Sequence, residues 1–221
     1  MAREVFNKQL QQLQEDMLVM ASMVERAIER AVESLRTRDL KLAQEVIDDD
    51  FKINQQRFGI EEDCLLVIAT QQPIASDLRI LAAVLNIITD LERMGDHAEG
   101  IAKISIIIGD EPPLKPLIDI PRMDELTRSM LRRSLDAFMK RDAEAAREIG
   151  REDDVIDALY EQVYRELLTF MMADPGTINR ATHLLWVAHN LERIADRVTN
   201  ICERVVFLTT GKMEEFNVSK Y

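Results

Sequence analysis

Two pairs of carboxylates in this chain are spaced for joint chemistry. Glu92 and Asp96 stand four residues apart in "DLERMGDHAEG", and Glu192 and Asp196 repeat that spacing in "NLERIADRVTN", one hundred residues later. On a helix, residues four apart share a face, so each pair presents its oxygens side by side. Asp153 and Asp157 show the spacing a third time, and Asp50 with Asn54 a fourth, with one charge lost. Carboxylates on two neighbouring antiparallel helices can converge into an oxygen-rich site for a divalent or trivalent cation. Arginine is the other cation at hand, because Arg93 and Arg193 follow the two glutamates directly. A solvated acidic flank is the plain alternative, since like charges at this spacing repel by only about 0.2–0.5 kcal/mol when exposed.

Other chemistries find no support. A di-iron carboxylate oxidase needs Glu-x-x-His on two helices, yet the residues three before His97, His183 and His189 are Met94, Arg180 and Trp186. His97 neighbours Asp96, but its counterpart is Arg197, and it reads as an exposed histidine. No Gly-rich phosphate loop, nucleophile elbow or Cys/His ligand set is present. The residues argue for a binding protein and against an enzyme.

The elements that must position these carboxylates are long helices. Apolar residues Phe6, Leu10, Leu13, Met17, Met20, Val24, Ala27, Ala31 and Leu35 step by four and three, the seam of a helix packed lengthwise on others. A first helix is predicted over residues 3–38, and a second, capped by Asp39, over residues 40–72, where Pro73 must end it. Gly59 in its middle predicts a bend or a close contact. The third opens at Ser76 or Asp77, either a plausible cap, and ends near Gly109. "GDEPPLKPLIDIP" then holds four of the six prolines and reads as a non-helical connector over residues 110–121. Three more helices are predicted over residues 122–141, 142–173 and 177–208, with "DPG" breaking the last two apart. The polar tail, 212–221, is expected to fray.

The halves match beyond the opening motif. Arg38-Asp39 recurs as Arg141-Asp142, Glu45-Val46 as Glu148-Ile149, and Asp50 with Ile53 as Asp153 with Ile156. Those offsets are 103 residues, against 100 for the acidic helix, so three residues are lost in the later turn, where loss rotates no helix face. The chain is a tandem duplication of a three-helix unit, residues 1–109 and 122–211. In the sixth helix Leu184, Leu191, Val198 and Val205, with Val187, Ile194, Ile201 and Leu208, form the buried seam. Glu192 and Asp196 then fall on its flank. Met17, Met20, Met23, Met171 and Met172 could line an adaptable partner groove, but core filling at helical spacing is the more common reason for methionines there.

Composition sets the class. Apolar residues make up 47% and charged ones 31%, aromatics only 5%, and glycine and proline are few, which favours an all-α fold. A net charge of −12 argues against a nucleic-acid face. Cys64 and Cys202 make neither a metal motif nor a disulfide framework. No apolar run reaches the roughly 18 residues of a membrane span, and the N-terminus is too charged for a signal peptide. These features fit a reduced, cytoplasmic protein that does not insert into membranes.

With those residues in view, the chain resembles the PhoU family of bacterial phosphate-transport accessory proteins, over nearly everything up to Gly211. The likeness rests on the duplicated Leu-Glu-Arg-apolar-small-Asp helices, on "QQPIASDLR" at 71–79 and on the "EPPLKPL" connector. It implies two antiparallel three-helix bundles related by a pseudo-twofold, six long helices in all, in a chain that forms homodimers. It implies negative regulation of inorganic phosphate uptake and of phosphate-starvation signalling. The implied partners are the ATP-binding subunit of the phosphate ABC transporter and a membrane sensor histidine kinase. Some members bind iron or other divalent or trivalent metal clusters through paired acidic motifs, which match Glu92/Asp96, Asp153/Asp157 and Glu192/Asp196. Asp50/Asn54 departs from the pattern, which makes the later half the better candidate site.

Overall fold

Each repeat folds into three antiparallel helical rods, and the computed structural model describes them over residues 2–216. The helices are α1 (Ala2–Thr37), α2 (Leu40–Gln71), α3 (Ser76–Ile108), α4 (Asp119–Lys140), α5 (Ala143–Arg151), α6 (Asp153–Ala173) and α7 (Ile178–Thr210), and no strand occurs among the described residues. The fold is all-α, a duplication giving two three-helix bundles in which α5 and α6 together take the place of α2. The helices that close the two repeats, α3 and α7, pack on each other and join the bundles. Their seams are fully buried, from Ile80 and Leu81 to Ile101 on α3 and from Ala181 to Val206 on α7.

The seam of α1 buries Phe6, Leu10, Leu13, Met17, Met20, Val24, Ala31 and Leu35, with Ile28 in the turn where Ala27 was expected. Met17 and Met20 fill core space, whereas Met172 stands 84% exposed. The duplicated Arg-Asp turns are alike. Arg38 and Arg141 both take positive φ, 58° and 54°, and the following aspartates cap the next helices. Asp39 accepts from the Leu42 amide at 2.9 Å, and Asp142 from the Ala145 amide at 3.0 Å. Each such cap contributes about 1 kcal/mol.

Three expectations need correction. Neither Ser76 nor Asp77 caps α3; Ala75 sits at the N-cap with φ 49°, and Asp77 is turned to Arg3 at 2.6 Å instead. The helix expected over 142–173 breaks at Glu152, just after Gly150, because Asp153 and Asp154 favour a fresh helix N-terminus there. Residues 119–121, placed in the connector, form the first turn of α4. Pro121 is tolerated there because the first amides of a helix lack partners anyway. Lys115 pins the connector from a buried position, pairing with Asp119 at 3.3 Å and with Glu166 on α6.

The tail departs from expectation too. Residues 212–216 fold back on the later bundle, where Arg147 on α5 grips Glu214 at 2.7 Å and the Glu203 carboxylate accepts the Phe216 amide at 3.0 Å. Phe216 rests on Gly150, where a Cβ would come within 2.8 Å of the ring. The remaining tail residues, 217–221, lie outside the described residues.

Candidate functional site: two acidic faces clamped by arginine

In the earlier half the carboxylates come from α2 and α3. Asp50 lies against Gly95, and a Cβ at that position would stand 3.3 Å from Asp50 Oδ1. The missing side chain is what lets α2 bring a carboxylate this close to α3. Asn54 donates to Asp50 Oδ2 at 2.8 Å. Arg93 reaches two carboxylates, at 3.4 Å from Glu92 and 3.0 Å from Asp96, and Arg57 approaches Glu92 at 4.0 Å. Asp50 Oδ1 is buried with no hydrogen bond among the described residues, and Glu92 Oε2, also buried, is the oxygen that Arg93 reaches at 3.4 Å. Burial, reinforced by Glu99, Asp96 and Glu92 and eased by Lys103, pushes the Asp50 carboxyl up to about 6.

The later half repeats the clamp with α6 and α7. Arg193 donates to Glu192 at 2.6 Å and lies 3.1 Å from Asp196, and His189 Nδ1 is 3.6 Å from Glu192. Burial raises Asp196 to about 6; Arg193 and Arg197 resist, while Glu192 and Asp157 add to the rise. Glu192 and Asp153 are buried, so the flank expected on the sixth helix is not a wet one. The reason is tertiary: α7 is packed by α3, α4, α5 and α6 together, and its flanks are covered as well as its seam.

The structure thus gathers Asp50, Glu92 and Asp96 on one face and Asp157, Glu192 and Asp196 on the other, within electrostatic reach of each other. Among the described residues no three His, Cys, Asp or Glu side chains converge closely enough to hold a metal ion. Of the two cations weighed from sequence, arginine stands within ion-pair distance of both carboxylate pairs. Arg93 and Arg193 are about half exposed, 55% and 45%, so both guanidiniums have solvent to swing into.

Sequence reasoning missed two contributors. Glu99 acts on Asp50 from the next turn of α3, and Gly95 makes its room. The α3–α7 crossing was missed as well. There Asn200 donates to Asp90 Oδ1 at 3.0 Å and Arg197 lies 3.5 Å from the same oxygen. In the mirrored position His97 Nδ1 is 2.9 Å from Asn190 Oδ1, and that oxygen also stands 3.3 Å from the Cβ position of Gly100. His97, read as exposed, is therefore half-buried and bonded across the crossing. The repeat offset held the signal, because applying it to one contact generates the other.

A duplicated helical bundle with a clamped acidic face in each copy defines a class of all-α proteins with internal pseudo-twofold symmetry. The model of the PhoU domain matches this chain twice, over residues 17–105 and 120–205, and the chain belongs to that family. It is 41% identical over 206 residues to a phosphate-specific transport system accessory protein PhoU homolog of Aquifex aeolicus, covering 93% of each chain. A homolog of the same description from Clostridium acetobutylicum is 38% identical over 218 residues, covering 98% of this chain and all of its own. The crystal structure of PhoU from Pseudomonas aeruginosa superposes with a TM-score of 0.89 at 35% identity, covering 94% of this chain and 100% of that one. Among the described residues no helix is long and apolar enough to cross a membrane.

Proposed function

We propose that this protein is a cytoplasmic negative regulator of inorganic phosphate uptake and of phosphate-starvation signalling. It acts as a dimeric helical adaptor between the ATP-binding subunit of the phosphate transporter and a sensor histidine kinase. The observation that carries this reading is the end-to-end match, both repeats included, to accessory proteins of phosphate-specific transport. The action is stoichiometric rather than catalytic, and the bundles 1–109 and 122–211 are its two contact units. Their acidic faces offer carboxylates to basic partner residues in place of Arg93 and Arg193. Removing the protein from its own cells should switch on phosphate-starvation genes in phosphate-rich medium, and restoring the chain should silence them. Unchanged repression in its absence would overturn the reading.

A second reading, an iron or other metal ion on the acidic faces, is favoured by the buried Asp50 Oδ1, which has no hydrogen bond among the described residues. Its ligands would come from Asp153, Asp157, Glu192 and Asp196 and from Asp50, Asn54, Glu92 and Asp96, after the arginines let go. Elemental analysis of protein purified without chelator decides it. Asp153→Ala with Glu192→Ala should lower the bound metal, and unchanged content would sink the assignment.

A further inference from the structure

Gly59 sits in the middle of α2, and a Cβ placed there would meet nothing within 4 Å among the described residues. Glycine weakens a helix interior relative to alanine, so in a single chain this residue has a cost and no packing reason. Around it runs an apolar stripe: Phe51, Phe58, Leu65 and Leu66 are 64%, 59%, 55% and 54% exposed. Phe51, Phe58 and Leu65 recur every seven residues, so they share one helix face, and the stripe through Leu66 is about 22 Å long. The bundle itself does not require it. By the 103-residue offset, Phe51, Phe58 and Gly59 correspond to Asp154, Glu161 and Gln162 in the later half.

We infer that this face of α2 is a self-association surface, on which α2 of a second copy lies antiparallel across a two-fold axis near Phe58. The inference rests on the dimer of the proposed function and gives it a location. Antiparallel pairing centred between residues 58 and 59 sets Phe58 over the partner's Gly59 and Phe51 against the partner's Leu66. A two-fold axis makes each contact twice. Glycine at the crossing lets the facing ring approach the backbone, which accounts for a residue that the single chain leaves unexplained. The polar rim agrees. Lys52, exposed and paired with Asp49 of its own chain at 2.6 Å, comes beside the partner's Glu62, while Gln55 faces the same glutamate. Copies that each carry a charge of −12 repel over most of their surfaces, and an apolar stripe with a matched rim is a place where they can meet.

The test is the mass of the full chain in solution, by sedimentation equilibrium. The wild type should be a dimer. Phe58→Asp should weaken it by at least about tenfold in Kd, and Met172→Asp, a like change at an exposed site of the other half, should leave it intact. Gly59→Ala should weaken association while leaving the helix content and thermal stability of the monomer undiminished, a combination that general misfolding cannot produce. A dimer indifferent to Phe58→Asp and Gly59→Ala overturns the assignment of the face and leaves the dimer standing. A monomeric wild type overturns the dimer itself and leaves the face to a helix of another protein.

Discussion

Asp90 and Asn190 occupy the same place in the two repeats, and each reaches across the α3–α7 crossing to residues that are themselves counterparts. Asp90 meets Arg197 at 3.5 Å, whereas Asn190 meets His97 at 2.9 Å. One contact is an ion pair and the other a hydrogen bond between a ring nitrogen and an amide oxygen, although a single symmetry operation relates them. Burial raises the Asp90 carboxyl, and Asn200 and Arg197 hold it back, so its charge depends on both neighbours.

Truncating the two residues should therefore cost different amounts. Asp90→Ala removes the acceptor of both Asn200 and Arg197 and should destabilise by roughly 1–3 kcal/mol, as expected for a buried charged acceptor. Asn190→Ala should cost about 1 kcal/mol. Urea unfolding of both variants at neutral pH compares them, and equal losses would contradict the asymmetry.

Asp50 gives stability a particular pH dependence. Its carboxyl titrates at about 6 in the folded chain, above the unfolded value of about 3.9. The folded state therefore binds the proton more tightly. The contribution is complete below about pH 4 and is lost as pH rises through about 6. Asp196, raised likewise to about 6, adds a slope of the same sign. Asp50→Asn keeps the shape, removes the charge repelled by Glu92, Asp96 and Glu99, and should stabilise by about 1–2 kcal/mol at pH 7. It should also flatten the fall between pH 4 and 6. An unchanged slope would show that Asp50 does not carry it.

Gly150→Ala should evict the tail. The new methyl would stand 2.8 Å from Phe216, so the ring must move and the Arg147–Glu214 pair loses its neighbour. We expect trypsin to cleave after Lys212 markedly faster in this variant than in the wild type. Phe216→Ala should act the same way and cost about 1–2 kcal/mol for the lost apolar contact. Equal cleavage rates in all three proteins would show that the ring does not hold the tail.

The open position at Gly59 can be read in isolation from self-association. In a Phe58→Asp background, Gly59→Ala should raise stability by about 0.5–1 kcal/mol, through helix propensity and the unfolded chain. A loss of stability there would mean that the site is crowded after all.

Much of this molecule could be read before it was seen. The step-four, step-three seams placed the long helices, and the Arg-Asp repeats placed two turns with their caps. The acidic pairs stand on the two helices expected to carry them. What escaped was set by neighbours distant in sequence. A seam reports which face of a helix is apolar, not how many helices cover it, and so Glu192 looked wet. Gly95 matters for the room it leaves to Asp50, which no local pattern encodes. The return of Phe216 to Gly150 joins residues far apart in sequence, which no local propensity encodes. His97 was legible in principle, once Asp90 and Asn190 were followed through the same offset.

Joining the two repeats in one polypeptide has a further consequence at the crossing. In a pair of separate identical chains, any substitution at position 90 would also appear at its mirror, and every contact would change in step. Here a codon on α3 and a codon on α7 drift apart freely, and they have done so: aspartate against asparagine, histidine against arginine, glycine against asparagine. The pseudo-twofold therefore no longer makes the molecule's two ends interchangeable. A ligand or protein approaching the crossing finds a salt bridge from one direction and an imidazole–amide pair from the other, which gives an outwardly symmetric bundle an orientation.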